Sequence, residues 1–150
     1  MDLIDVLTET ISRVLPLATQ KNMKVVFEPP NSIIEVIGST TMLRQLFTNL
    51  LDNAIKFTPK NGRITVSIIP TEKDVRIAVK DNGIGMTNQE VDQAFERFYR
   101  ADTARSSKGL GLGLAISKAI VEQHNGSIEI SSKDSKGTTV TIYLPRTTRK

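Results

Sequence analysis

The sequence predicts an α+β fold, a two-layer sandwich in which one mixed five-stranded sheet is covered on one face by three helices. Three observations carry this. Three segments have apolar residues at helical spacing, five or six others are short and β-prone, and the two kinds do not alternate as βαβ units. A chain of 150 residues also suits a single domain spanning 1–150. At that length, roughly 70% of the unfolded surface is buried on folding, enough for a core without staples.

The elements follow in order. Ile4, Leu7, Ile11, Val14 and Ala18 step by three and four along the first helix, and Pro16 should kink it or end its regular part. Lys24 to Glu28 is a short strand, broken by Pro29-Pro30, and Ile33 to Ile37 is a second β-prone piece. Gly38 and Ser39 open a long helix with apolar Met42, Leu43, Leu46, Leu50 and Ala54, which should stop before Pro59. Arg63 to Ile69 and Asp74 to Val79 alternate as paired strands with Pro70 near their turn. Thr87 and Glu90 form a capping-box pattern. Arg100 to Lys108 shows no period and reads as a mobile loop. A helix from about Gly111 to His124 stops at Asn125-Gly126, and strands Ser127 to Ser131 and Thr138 to Leu144 flank the Lys133–Gly137 turn.

Composition excludes several functions. With 39% hydrophobic and 24% charged residues the chain is an ordinary globular one. It has no cysteine, hence no disulfide frame or thiolate metal site, which fits a reducing compartment. No apolar run approaches a membrane span, and the amino terminus is too acidic for a signal peptide. The formal charge of +4 sits largely in the tail (Arg146, Arg149, Lys150) and in Arg97 to Lys108. No aromatic stacking platform accompanies it, so a nucleic-acid partner is not expected.

Three segments could carry chemistry. Asn49, Asn53 and Lys56 project from one face of the long helix. Amide oxygens are hard ligands suited to Mg²⁺ and lysine neutralises phosphate, although such a stripe alone is more often just solvated. Asp81-Asn82-Gly83-Ile84-Gly85-Met86 follows a strand; alone it is an ordinary turn, but its carboxylate could accept from an adenine amino group while the glycines let the base approach. Lys108-Gly109-Leu110-Gly111-Leu112-Gly113-Leu114 precedes a helix and offers N–H groups to an anion, or serves as a plain hinge. No P-loop, Rossmann or protein-kinase signature is present.

Together, in this order, the segments resemble the histidine-kinase boxes: Asn49–Phe57 the asparagine box, Asp81–Gly85 the first glycine box, Phe95–Tyr99 the phenylalanine box and Gly109–Leu114 the second glycine box. Glu122-Gln123-His124-Asn125-Gly126 and the Lys136 to Pro145 ending are also typical of that family, the catalytic and ATP-binding domain of sensor histidine kinases with its Bergerat-type fold. The resemblance implies ATP and Mg²⁺ as cofactors. It makes Asn53, assisted by Asn49, the metal ligand, puts Lys56 near the phosphates, and lines the base pocket with Phe57. Asp81 would hold the adenine amino group, Gly83, Ile84 and Gly85 would shape the pocket floor, and Thr138 would support Asp81. Arg100 would reach the terminal phosphate as a catalytic residue with Asn49. Residues 100–110 would form a lid that closes over nucleotide with Lys108, and Gly109, Leu110, Gly111, Leu112, Gly113 and Leu114 would grip the phosphates. Leu110 stands where the family usually has threonine, so one hydroxyl near the phosphates is missing.

ATP-hydrolysing relatives of this fold carry a glutamate where Asn49 stands. An amide is no base, so the resemblance implies phosphoryl transfer to a protein rather than hydrolysis. The implied acceptor is a histidine on a separate dimerisation hairpin of the same kinase, absent from these residues, with a response regulator reached indirectly. His124, the only histidine, ends a helix and reads as a structural residue. A monomeric, cytoplasmic domain of a parent protein that can be membrane-anchored is expected. The alternatives are a serine kinase of the anti-sigma-factor type and a non-catalytic nucleotide-binding module.

Overall fold

A computed structural model describes residues 1–95, 113–133 and 135–146. The element order is α1 (Leu3–Gln20), β1 (Lys24–Phe27), α2 (Thr40–Lys56), β2 (Arg63–Pro70), β3 (Asp74–Asp81), α3 (Asn88–Gln93), α4 (Gly113–Gln123), β4 (Ser127–Lys133) and β5 (Gly137–Pro145). The five strands form one sheet in the order β1-β2-β3-β5-β4, with β1 parallel to β2 and every other pair antiparallel. This is the expected mixed sheet with three substantial helices, plus the short α3.

The register explains the two layers. Side chains alternate along a strand, so Ile64, Val66 and Ile68 of β2, Val75, Ile77 and Val79 of β3, and Ile142 and Leu144 of β5 share one face and are buried. Arg76 and Lys80, on the other face, are exposed. Against the apolar face lies α2, whose Leu43, Leu46, Phe47, Leu50, Leu51, Ala54 and Ile55 are all buried. The α1 and α4 helices flank it. Leu50, Ala54 and Val79 thus face one another where α2 crosses the end of β3, which is where the candidate site begins.

Local signals fix the ends. Ser39 Oγ accepts from the Met42 amide at 3.2 Å and caps α2. The helix stops at Lys56, three residues before Pro59, as the proline requires. Both halves of the Thr87–Glu90 capping box form, at 2.9 and 3.2 Å. Asn125 takes φ 61° and the Gly126 amide returns to the Val121 carbonyl at 2.9 Å, closing α4 with the expected left-handed cap.

Pro16 lies inside α1, which runs on to Gln20. The proline is exposed while Val14 and Ala18 on either side are buried, so packing of the apolar face carries the helix through. Ile33 to Ile37 is not a strand but a single antiparallel bridge, Asp2 with Glu35. The Leu3 amide donates to Ile34 O at 2.8 Å and Val36 N to Met1 O at 3.1 Å, so the segment spends its pairing on the amino terminus. Ile34 and Val36 are buried there while Ile33 and Ile37 point outward.

His124 joins two helices. Its Nε2 accepts from the Ser39 amide at 3.1 Å and its Nδ1 lies 2.8 Å from Ile120 O, so the ring carries its proton on Nδ1 and both nitrogens are engaged. A side chain on Gly38 would run into the ring.

Candidate functional site

The end of β3, the carboxyl end of α2 and the amino end of α4 line an open pocket. Its lining is mostly apolar: Leu50, Ala54, Phe57, Val79, Ile84, Met86, Leu114 and Val140. The polar side chains are Asn53, Asp81 and Thr138, with Gly85 completing the wall. Such a cleft, with few polar groups among apolar walls, suits a flat aromatic ligand.

Asp81 is the centre of that polarity. It is the last residue of β3, on the same face as Val79, and only 8% exposed. Its Oδ1 accepts from the Gly83 amide at 2.9 Å and the Thr138 amide at 3.2 Å. Its Oδ2 receives no hydrogen bond from the described residues. One oxygen is therefore pinned by the backbone and the other is left to meet a ligand donor. Burial pushes the Asp81 carboxyl above its ordinary value of 3.8, and the Gly83 and Thr138 amides only partly offset this.

The sign of the pH effect follows. A raised native pKa means the folded state holds the proton longer, so this group's stabilisation is present below 3.8 and is lost as pH rises through the native value. A ligand N–H donated to the carboxylate favours the ionised form. Ligand binding should then expel a proton at pH values near the raised native pKa and weaken further on acidification. Calorimetric titration of ADP in two buffers of different ionisation heat measures the proton directly; no buffer dependence would contradict it.

The loop after β3 is shaped by close approaches. Ile84 N donates to Phe57 O at 3.1 Å, tying the loop to the end of α2. A Cβ on Gly83 would collide with that same Phe57 carbonyl, so no larger residue lets the loop close there. Gly85 has φ 68°, and a Cβ would strike the Lys133 carbonyl. On the other side, the Ser132 hydroxyl of β4 holds Met86 N at 2.8 Å.

Of the residues singled out from sequence, Asn53, Phe57, Asp81, Ile84, Gly85, Leu114 and Thr138 line one pocket. Gly83 stands behind it and supplies an amide to Asp81. Asn49 is half-buried one turn before Asn53 but not part of the lining. Lys56 is exposed, its Nζ 3.0 Å from Asp52 Oδ2. Gly113 begins α4. Arg100, Lys108, Gly109, Leu110, Gly111 and Leu112, with the expected lid and its motion, lie outside the described residues. Sequence reasoning missed Leu50, Ala54, Val79, Met86 and Val140 as pocket walls, and Ser132 as a support. The apolar ones carry the same pattern as any core residue, so only the fold singles them out.

A metal would find no cage of three or more His, Cys, Asp or Glu side chains among the described residues. A divalent ion brought in by ligand phosphates would take only part of its coordination from the protein. Asn53, an amide on the wall of this pocket, is the side chain that could take the protein's share.

The family model describing the histidine kinase-, DNA gyrase B- and HSP90-like ATPases matches residues 38–148. The chain is 38% identical over 133 residues to the sensor histidine kinase WalK of Bacillus subtilis, covering 86% of this chain and 22% of that protein. It is 36% identical over 147 residues to the sensor-like histidine kinase SenX3 of Mycobacterium tuberculosis, covering 97% and 36%. The chain thus spans a minor part of the curated relatives it matches. Among solved structures, the mycobacterial sensor histidine kinase MprB superposes with a TM-score of 0.87 at 30% identity, covering 99% of both chains. The nucleotide-free catalytic domain of the histidine kinase ThkA gives 0.86 at 26%, covering 99% and 97%.

Proposed function

This chain belongs to the histidine kinase-, DNA gyrase B- and HSP90-like ATPase family, on its sensor-histidine-kinase branch, and from that premise we propose what its pocket does. The pocket binds ATP with Mg²⁺, and the bound γ-phosphoryl is passed to a histidine on a separate helical hairpin of the same kinase. The observation that carries the reading is Asp81, a buried carboxylate with one oxygen pinned and one free inside an otherwise apolar cleft.

The division of labour follows from position. Apolar walls from Leu50, Ala54, Val79 and Ile84 exclude water around the base, and Asp81 Oδ2 accepts from its amino group. Asn53, on the α2 side of the pocket, would hold Mg²⁺, which supplies charge neutralisation at the phosphates when bound. Asn49 lies one turn from Asn53 towards the middle of α2. Arg100 is assigned to the terminal phosphate and residues 100–110 to the lid by family resemblance alone. Among the described lining residues Asp81 is the only carboxylate, and it is committed to the base. The pocket wall so described offers no general base to activate water. The acceptor brings its own nucleophile, an imidazole nitrogen, and the P–N bond forms as the P–O bond to the β-phosphate breaks.

No helix among the described residues is long and apolar enough to cross a membrane. The longer relatives are sensor histidine kinases, which supports a parent protein that also holds the hairpin and a sensor region, with a response regulator as its onward partner.

Calorimetric titration tests the binding half. ADP and ATP should bind one per chain, with affinity lowered about tenfold or more when Mg²⁺ is replaced by EDTA. Equal affinity with and without the metal would remove the role given to Asn53.

A further inference from the structure

Ser132 is half-buried on the edge strand β4 and lines no part of the pocket, yet its hydroxyl joins two residues of the pocket wall, Met86 and Thr138, and the Gly137 carbonyl beside them. Its Oγ is 2.8 Å from the Met86 amide, 2.9 Å from the Gly137 carbonyl and 2.8 Å from Thr138 Oγ1. Ser132 and Thr138 are a direct cross-strand pair.

A hydroxyl has one proton and two lone pairs. The Met86 amide can only donate to Ser132. The Gly137 carbonyl can only accept, and it takes the serine's single proton. The third contact is therefore satisfied only if the Thr138 hydroxyl donates, which uses the threonine's only side-chain proton. The Thr138 amide is already committed to Asp81 Oδ1. Thr138 thus has lone pairs alone to offer to the pocket it lines. The ionised Asp81 beside it also only accepts.

We propose that Ser132 is a positioning residue for base selectivity: by fixing the direction of the Thr138 hydroxyl it keeps the Asp81 end of the pocket acceptor-only. That end admits the 6-amino group of adenine and rejects the 6-oxo group of hypoxanthine or guanine. An amino group brings protons to the two acceptors, whereas a 6-oxo group sets lone pair against lone pair. Without Ser132 the Thr138 hydroxyl loses its anchor and can turn its proton into the pocket, where a 6-oxo group would meet a donor. The inference rests on the nucleotide reading of the pocket.

The test is titration of ADP and IDP into the wild-type chain, Ser132→Ala and Thr138→Val. Wild type should prefer ADP by about 100-fold or more, as sites that pair hydrogen-bonding groups do. In Ser132→Ala that ratio should narrow about tenfold, with ADP weaker and IDP tighter. Thr138→Val keeps the amide bond to Asp81 but has no side-chain oxygen, so its ratio should narrow too, and an unchanged ratio there overturns the inference even if the serine variant does not fold. A merely structural role would weaken both nucleotides by one factor. An unchanged ratio, or equal losses, in the folded variants overturns the inference. A wild-type chain that binds neither nucleotide overturns the nucleotide reading instead.

Discussion

Asp81→Asn should lower ADP affinity about 100-fold or more, the ~3 kcal/mol scale of a charge-assisted hydrogen bond replaced by a clash of donors. The direction of the new amide is fixed in advance. The Gly83 and Thr138 amides, at 2.9 and 3.2 Å, both require an acceptor at Oδ1. The asparagine must therefore put its oxygen there and its NH₂ where Oδ2 now stands, pointing protons at an adenine amino group that also carries protons. The fold should survive, because those two backbone bonds survive. At neutral pH the ligand-free variant should be at least as heat-stable as wild type, since it no longer buries an ionised carboxylate whose native pKa is raised. Thermal unfolding and ADP titration on the same samples separate the two effects. Undiminished ADP binding would remove Asp81 from the site, and loss of binding together with unfolding would make its role structural.

Much of this arrangement was legible in the sequence because it is set by local rules. Ser39 and Thr87 announce helix starts through hydroxyls three residues from the amides they cap. Asp81 and the glycines after it read as a carboxylate at a strand end followed by backbone that must approach closely. Asn53 and Phe57, the residue that caps α2, are one turn apart and reach the same pocket. What was not legible depended on partners distant in sequence. Lys56 shares a face with Asn49 and Asn53, but Asp52 also lies four residues before it and takes its ammonium. Ile33 to Ile37 alternates like a strand, yet the neighbour it finds is the amino terminus. Ser132 is one of several serines in a polar strand; its importance comes from Met86, 46 residues away, and from a cross-strand threonine.

Phosphoryl transfer carries the largest effect of all, because without an acceptor there is none. His124 is a poor acceptor on geometric grounds: its two ring nitrogens are engaged with the Ser39 amide and the Ile120 carbonyl, and its ring lies against Gly38. Forming a P–N bond at Nε2 would break the tie between α4 and the start of α2. Supplied in trans, a histidine-bearing hairpin would meet the bound nucleotide only at its free concentration. The rate should then fall below that of the joined protein by the lost effective concentration, about millimolar for a short linker.

The most direct measurement is incubation of this chain with γ-labelled ATP and Mg²⁺, with and without the histidine-bearing helical hairpin proposed as its partner, followed by acid and base treatment of the separated products. The expected result is label on the hairpin, lost in acid and kept in base, with none on this chain and none on the hairpin when Asn53→Ala or Asp81→Asn replaces the wild type. Acid-labile label on this chain that vanishes in His124→Gln, or release of inorganic phosphate with no labelled hairpin, would contradict phosphoryl transfer from this pocket to a partner histidine.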